Sequence, residues 1–422
     1  NGDGEEEIIT ADLGGNVYVF SPNGVCLARY KLGGSVIGSP AVYDVDVDGK
    51  KEIAIASNDA HVYLFEFQDS LVLEDGYPVW LGQMVWSTPL LYEHAVYVLS
   101  GDGTLWRFDE NGRKVWRKGK ESLAFTTSSP VMGDINGDGL KEILCITGYG
   151  LVYCVSEPGS VLWERSIPDT NFFSSPALGD VNGDGYPELV LAAKNKIYAV
   201  DHNGCVLDNF PVEIDSQEYI QSSIVLSDVD DDGRVDILFT SPDGGVYAFN
   251  GNGDRIYGFP LGTGGKTYST PLVCDYDGDP STSEIFVGSE DGYLYGWRVF
   301  SSLKEGWNMA YGTPEHWMVY NIPVTPTTTF QSLEEFYIYP NPGRGNRVNL
   351  RYTLDEGVRS VRYIVFSMAG DILIEGEGTT NAGVNDVPID VSSLANGVYI
   401  LYIEIQDGEK TIKDKKVFGI AR

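Results

Sequence analysis

No stretch of this 422-residue chain approaches the roughly 18 consecutive apolar residues that a membrane helix needs, and no apolar leader opens it. It reads as mature and soluble, with no membrane span. Cysteine is scarce. Cys26, Cys145, Cys154, Cys205 and Cys274 are an odd set without C-x-x-C spacing, which indicates neither a zinc site nor a full disulfide framework. They fit small buried thiols, with a Cys145–Cys154 bridge across an expected hairpin left open. The four histidines, His61, His94, His202 and His316, fall in different repeats and form no H-E-x-x-H pair. No G-x-S-x-G elbow occurs, and Gly264-Gly-Lys-Thr267 has Pro260 where a phosphate loop needs its first glycine.

Basic residues are also few: 29 Lys+Arg against 61 Asp+Glu give a net charge of −32. Such a chain repels nucleic acid and anionic membrane surfaces, so nucleic acid is excluded as a partner. The same charge opposes compaction unless bound cations neutralise many carboxylates, which points to metal.

What the chain has in abundance is 50 Gly, 26 Tyr and 17 Phe, the composition of many short strands joined by tight turns. The strands repeat. Ser39-Pro40, Thr88-Pro89, Ser129-Pro130, Ser175-Pro176, Ser223-Ile224 and Thr270-Pro271 align at steps of 49, 41, 46, 48 and 47 residues. A period in the mid-forties with short β-rich segments suits a four-stranded propeller blade. In the fifth unit the first strand starts at Ser175, the second at Glu188, the third at Lys196 and the fourth at Cys205, with Asn203-Gly204 turning the last pair. Counting an opening unit, residues 1–34, the expected fold is all-β: a seven-bladed β-propeller over residues 1–322, with six or eight blades left open. The opening unit lacks its first strand. A segment missing from the chain, the stretch Trp307 to Tyr320, or a neighbouring molecule could each complete it.

Between the first and second strands of most repeats lies the loop D-x-[DN]-x-D-G-x-x-[DE]. Its members are Asp44, Asp46, Asp48 and Glu52; Asp134, Asn136, Asp138 and Glu142; Asp180, Asn182, Asp184 and Glu188; and Asp228, Asp230, Asp232 and Asp236. Hard oxygen donors at alternate positions, a glycine for the sharp turn and a closing acid are what Ca2+ requires, with the carbonyls of Lys50, Leu140, Tyr186 and Arg234 as further donors. The closing acid is ninth rather than twelfth, which excludes an EF-hand. In the seventh repeat Asp275, Asp277 and Asp279 meet Glu284 one residue late. The opening fragment offers Asn1, Asp3 and Glu7, and the third repeat has Tyr92-Glu-His94 instead. About four to six Ca2+ ions are expected, in a structural role.

The strand–loop–strand halves resemble the FG-GAP or VCBS repeats of integrin-type propellers. The second halves, Gly103-Thr-Leu-Trp-Arg-Phe-Asp-Glu-Asn-Gly-Arg-Lys-Val-Trp116 and Val152 to Trp163, also resemble quinoprotein-type propeller repeats. Trp106, Trp116, Trp163 and Tyr257 recur as expected packing between blades. Residues 323–335 form a Pro/Thr linker, and 336–422 a small β-sandwich. Tyr339-Pro-Asn-Pro342, Met368-Ala-Gly370, Asp390 to Tyr399 and Lys415-Lys-Val417 resemble the C-terminal sorting domain of type IX secretion cargo, close in pattern to the immunoglobulin-like domain of the flagellar hook cap. That resemblance implies export to the extracellular space or outer cell surface.

Three functions follow, none required by a catalytic motif. The leading expectation is not an enzyme but a secreted or cell-surface calcium-binding adhesion module that takes protein or glycan. The second is a self-assembling matrix or filament protein, joined through the incomplete first blade or the tail. The third is a polysaccharide-active enzyme such as a lyase.

Overall fold

A computed structural model describes residues 5–119, 126–169, 174–216, 218–299, 301–303, 306–313, 316, 318–320, 336–340, 342–343, 345–354, 358–367, 372–407 and 410–421. Every regular element among them is a strand. The chain divides into two compact units, Asn1–Thr327 and Thr328–Arg422, and the division falls inside the expected Pro/Thr linker.

Among the described residues of the first unit seven sheets follow one another along the chain, all antiparallel apart from one late strand added to the fourth. The fifth shows the plan. Ala177–Gly179, Glu188–Ala193 and Lys196–Val200 pair in order, as their alternation and turns dictate, and Val212–Glu213 forms the outer strand. That last element differs from the expected start at Cys205, where Val206 makes only an isolated bridge to Val200. Pro211 lacks an N–H and cannot continue the ladder, so the outer edge is interrupted and resumes just beyond it. The second and sixth sheets repeat the break at Pro78 and Pro260, with outer strands resuming at Val79–Trp80 and Leu261–Gly262.

The aligned Ser/Thr residues do more than mark the period. The Ser39 N–H donates to Thr88 Oγ1 (2.8 Å), Thr88 to Ser129 Oγ (3.0 Å), Ser129 to Ser175 Oγ (3.2 Å) and Ser223 to Thr270 Oγ1 (2.9 Å). The second, third, fourth and sixth sheets are thus each tied to the next by a side-chain acceptor, while the fifth is tied to the sixth through the backbone, Ile224 N–H donating to the Ser175 carbonyl (3.3 Å). A bulkier residue without that oxygen would leave a buried N–H unmet, at about 1–3 kcal/mol.

Outer-strand tryptophans lock the sheets together at their rims. Trp116 lies against Gly159 and Trp163 against Gly204, where an added Cβ would stand 2.9 and 2.8 Å from the indole; both glycines also have positive φ, +100° and +78°. Trp163 Nε1 donates to the His202 carbonyl of the next sheet (2.8 Å). Trp106 is buried as well, but Tyr257 is 79% exposed, so its expected packing role is corrected: it follows the Asn252-Gly253 turn on the outer face.

Two alternatives that the sequence left open are decided by the register. In the hairpin of the fourth sheet Cys145 stands opposite Tyr153, and Cys154 opposite Leu144. Adjacent strand residues point to opposite faces, so the two thiols lie on opposite sides of the sheet and are free and buried rather than bridged. Nor does Trp307 to Tyr320 complete the first sheet. The Trp307 carbonyl accepts from Leu226 N–H (2.9 Å), the Asn308 carbonyl from Val273 N–H (2.9 Å), and Val319–Tyr320 pairs parallel to Val131–Gly133. This stretch satisfies the inner edges of the seventh, sixth and fourth sheets instead. The first sheet holds Ile8–Ala11, Asn16–Phe20 and Cys26–Lys31, with no inner strand among the described residues.

The second unit packs a three-stranded sheet (Tyr337–Tyr339, Arg347–Leu354, Gly383–Asp390) against a four-stranded one (Val358–Ser367, Ile372–Glu377, Gly397–Asp407, Lys410–Ile420). Val348, Leu350, Val387 and Ile389 from the first meet Val361, Val365, Leu401, Ile403 and Phe418 from the second in one core, which makes the unit a β-sandwich.

Candidate metal sites

The hairpin register builds each acidic loop. The last residue of the first strand pairs with the closing acid, Tyr43 with Glu52, Gly133 with Glu142, Gly179 with Glu188 and Ser227 with Asp236. The closing side chain is thereby held at a fixed point under the loop, and all four are almost wholly buried.

One hydrogen-bond scheme recurs in all four. The closing acid accepts from the N–H after the first aspartate: Val45 to Glu52 (2.7 Å), Ile135 to Glu142 (3.2 Å), Val181 to Glu188 (3.1 Å) and Val229 to Asp236 (2.9 Å). The first aspartate accepts from the loop glycine, Gly49, Gly139, Gly185 or Gly233, at 2.9–3.0 Å. Those glycines sit at φ between +85° and +92°, where a side chain would be strained. The third acid, Asp48, Asp138, Asp184 or Asp232, accepts from the N–H of Lys50, Leu140, Tyr186 or Arg234 at 2.8 Å. The loop carboxylates are thus oriented by backbone amides.

Oxygen atoms of Asp44, Asp46 and Asp48 lie within 4.8 Å of one another, as do those of Asp228, Asp230 and Asp236. In the fourth and fifth sheets the asparagine amide is drawn into the cluster: Asn136 Nδ2 reaches Asp138 (3.2 Å), and Asn182 Nδ2 reaches Asp184 (3.1 Å) and Glu188 (3.0 Å). Crowded, desolvated carboxylates resist ionisation. Burial first, then the neighbouring acids, push Glu188 and Asp236 up to about 9; burial pushes Glu52 and Glu142 up to about 7. A divalent cation would supply a counter-charge. The donor set is all hard oxygen, which fits calcium.

The seventh loop closes differently. Cys274 pairs with Glu284, and Tyr276 N–H donates to Glu284 (2.9 Å), so the extra residue is absorbed in the loop and the late acid keeps its place. Asp275, Asp277 and Glu284 cluster within 4.8 Å. Here, however, Arg298 bonds to Asp277 and donates to Glu284 (3.1 Å) from the position opposite Glu284 on the next strand. Sequence reasoning missed Arg298, because only the strand register brings it beside the acids. In the opening fragment Glu7 is half-buried before Ile8–Ala11, whereas Asn1 and Asp3 lie outside the described residues. In the third sheet Tyr92-Glu-His94 makes a tight turn with Glu93 and His94 at positive φ, without the acid set.

A second recurrent device also escaped sequence reading. Tyr63, Tyr247 and Tyr295 each donate to an aspartate four residues earlier, Asp59 (2.6 Å), Asp243 (2.8 Å) and Asp291 (2.7 Å), clasping the hairpin at the end of the sheet opposite the acidic loops. Trp106 takes the same place in the third sheet and donates to Ser100 (3.0 Å). The D-x-x-x-[YW] spacing is the signal that could have found it.

Residues 13–256, more than half of the chain, match the family described as outer membrane protein assembly factor BamB (PQQ_2). The chain belongs to this BamB family. The match falls on the quinoprotein-type side of the resemblance, and the FG-GAP/VCBS identity is not supported. BamB from Moraxella catarrhalis superposes with a TM-score of 0.51 at 17% identity, over 82% of this chain and 88% of that one. Sqt1 of Saccharomyces cerevisiae gives 0.55 at 14% identity, over 69% and 81%. At such identities these likenesses show the propeller fold alone. Residues 337–418 match a secretion system C-terminal sorting domain, which places the BamB-family propeller outside the cell or on its surface. Two curated relatives, lambda-carrageenases of Pseudoalteromonas sp. and Pseudoalteromonas carrageenovora, are 36% identical over 69 residues, 16% of this chain. The chain spans 7% of the length of these relatives.

Proposed function

We propose that this exported propeller is a calcium-stapled binding module of the cell surface, in which the ions fix the strand connections and ligands bind elsewhere. The observation that carries it is the repetition of one scheme in four loops: a buried closing acid and amide-oriented carboxylates whose mutual repulsion a divalent cation would relieve. A cation that binds only the folded state stabilises it by about 2.7 kcal/mol per site at a hundredfold excess over Kd. The short likeness to lambda-carrageenases favours a saccharide ligand over a protein one. The test is thermal unfolding of the full chain in millimolar calcium and in chelator, beside Glu188→Gln. A large calcium-dependent rise in Tm, reduced in the variant, is expected; equal Tm values would refute the reading.

A second reading, self-assembly, has an observation of its own. Central strands such as Glu52–Ser57, Ala95–Leu99 and Glu188–Ala193 are buried on both faces, whereas Ile8–Ala11 and Leu294–Val299 alternate exposed with half-buried residues. The first and seventh sheets therefore each cover only one face, and a second molecule could cover the other. Light-scattering mass decides it: a monomer in calcium removes this reading.

A further inference from the structure

We infer that the cleft between the second and third sheets binds an anionic polysaccharide through an aromatic platform flanked by cations; the inference rests on the binding-module reading above and names its ligand class. The cleft has a volume of about 840 Å³ and is lined by Trp80, Met84, Trp86, Trp106, Lys114 and Arg117, among others. Trp80 is 68% exposed and Met84 54%, so a large apolar surface faces solvent where a soluble domain would ordinarily cover it. The platform is built, not incidental: Gly101 lets Trp86 lie on its backbone, where a Cβ would stand 2.4 Å from the ring, and Trp80 lies over Gly82.

The charges are the second observation. Lys114 Nζ stands 4.7 Å and the Arg117 guanidinium 5.3 Å from the Trp106 ring centre. Both belong to Arg113-Lys-Val-Trp-Arg-Lys-Gly-Lys120, which holds five of the chain's 29 basic residues in a protein of net charge −32. Lysines on an edge strand also discourage strand pairing, yet that role needs no exposed tryptophan across the cleft. Asp102, the acid in the lining, accepts from Ser100 Oγ (2.6 Å) and Thr104 N–H (3.1 Å). A sugar ring stacks its apolar face on Trp80 while sulfate or carboxylate groups reach Lys114 and Arg117, the fork of arginine suiting a planar or tetrahedral oxyanion. The Gly82–Trp86 and Gly101-Asp102 segments lie at the opposite ends of the strands from the acidic loops, so metal and saccharide sites are separable.

The experiment is calorimetric titration of the calcium-loaded full chain with lambda-carrageenan and with its desulfated counterpart. Binding of the sulfated chain that weakens with salt is expected, with at least tenfold loss in Trp80→Ala and in Lys114→Glu/Arg117→Glu, and no change in Tyr257→Ala. Glu188→Gln should lose calcium-dependent stability and keep saccharide binding, so failure of the metal reading and of this one are distinct. No binding by wild type, equal binding of the desulfated chain, or variants that bind as wild type would overturn the proposal. So would a dimer abolished by the charge-reversal variant without any saccharide binding.

Discussion

The fifth and seventh acidic loops share a register and a buried closing acid, yet in one an asparagine amide bonds to the closing acid and the Arg234 guanidinium of the next sheet lies against Gly183, while in the other Arg298 bonds to the closing acid itself. The comparison separates two things that one motif conflates. Hairpin register, through Gly179 opposite Glu188 and Cys274 opposite Glu284, decides where the acids stand. What neutralises them is decided by a residue from elsewhere in the sheet. Where a guanidinium reaches the closing acid itself, the loop carries its own counter-charge; in the other four an external cation would supply it.

The largest effect should come from pH and chelator together. Burial raises the folded Glu188 from 4.5 to about 9 and Asp236 from 3.8 to about 9. Folding therefore favours their protonated forms. The associated stability is fully present below the unfolded values and is lost as pH rises towards about 9. In chelator, Tm should fall steeply between pH 5 and 9. In calcium, which binds the ionised form, it should stay level over the same range. Parallel profiles in the two buffers would break the comparison.

Glu188→Gln should act with opposite signs. At pH 8 in chelator it removes the cost of holding protonated a carboxyl that is ionised in the unfolded chain, and should leave stability unchanged or raised; in calcium it should remove about 2 to 3 kcal/mol, the contribution of one site at a hundredfold excess over Kd. Denaturant unfolding in both buffers gives both numbers. Loss of a rim clasp should be comparable but independent of calcium: Trp163→Ala removes the contact with Gly204 and the hydrogen bond to His202, at about 3 kcal/mol. Tyr257→Ala, at an exposed position, should cost under about 0.5 kcal/mol by the same assay. The smallest effect sharpens the comparison most: Arg298→Ala should barely change stability in calcium but add a calcium site in the seventh loop, detected as one more ion bound.

Much of this was legible. The period and the first three strands of the fifth sheet follow from spacing, because turns are local, and the export domain was legible through its resemblance to sorting domains. What was not legible depends on register or on neighbours. Spacing left a Cys145–Cys154 bridge open, and only the one-residue offset in the hairpin register puts the two on opposite faces. Tyr257 shared a pattern with Trp116 and Trp163, but recurrence does not say which face meets the next sheet. The Ser/Thr-Pro marks were visible as a period, while their role as acceptors for the preceding sheet needs two repeats brought together in space. Trp307 to Tyr320 found its partners in Leu226, Val273 and Met132, more than thirty residues upstream in each case.

The most direct test is to count bound calcium by equilibrium dialysis for the wild-type chain and for Glu188→Gln. The account predicts one ion for each of the four complete loops in wild type and one fewer in the variant, with the seventh loop contributing none while Arg298 is present. A wild-type chain that binds no calcium, or a variant that binds as many ions as wild type, would contradict it.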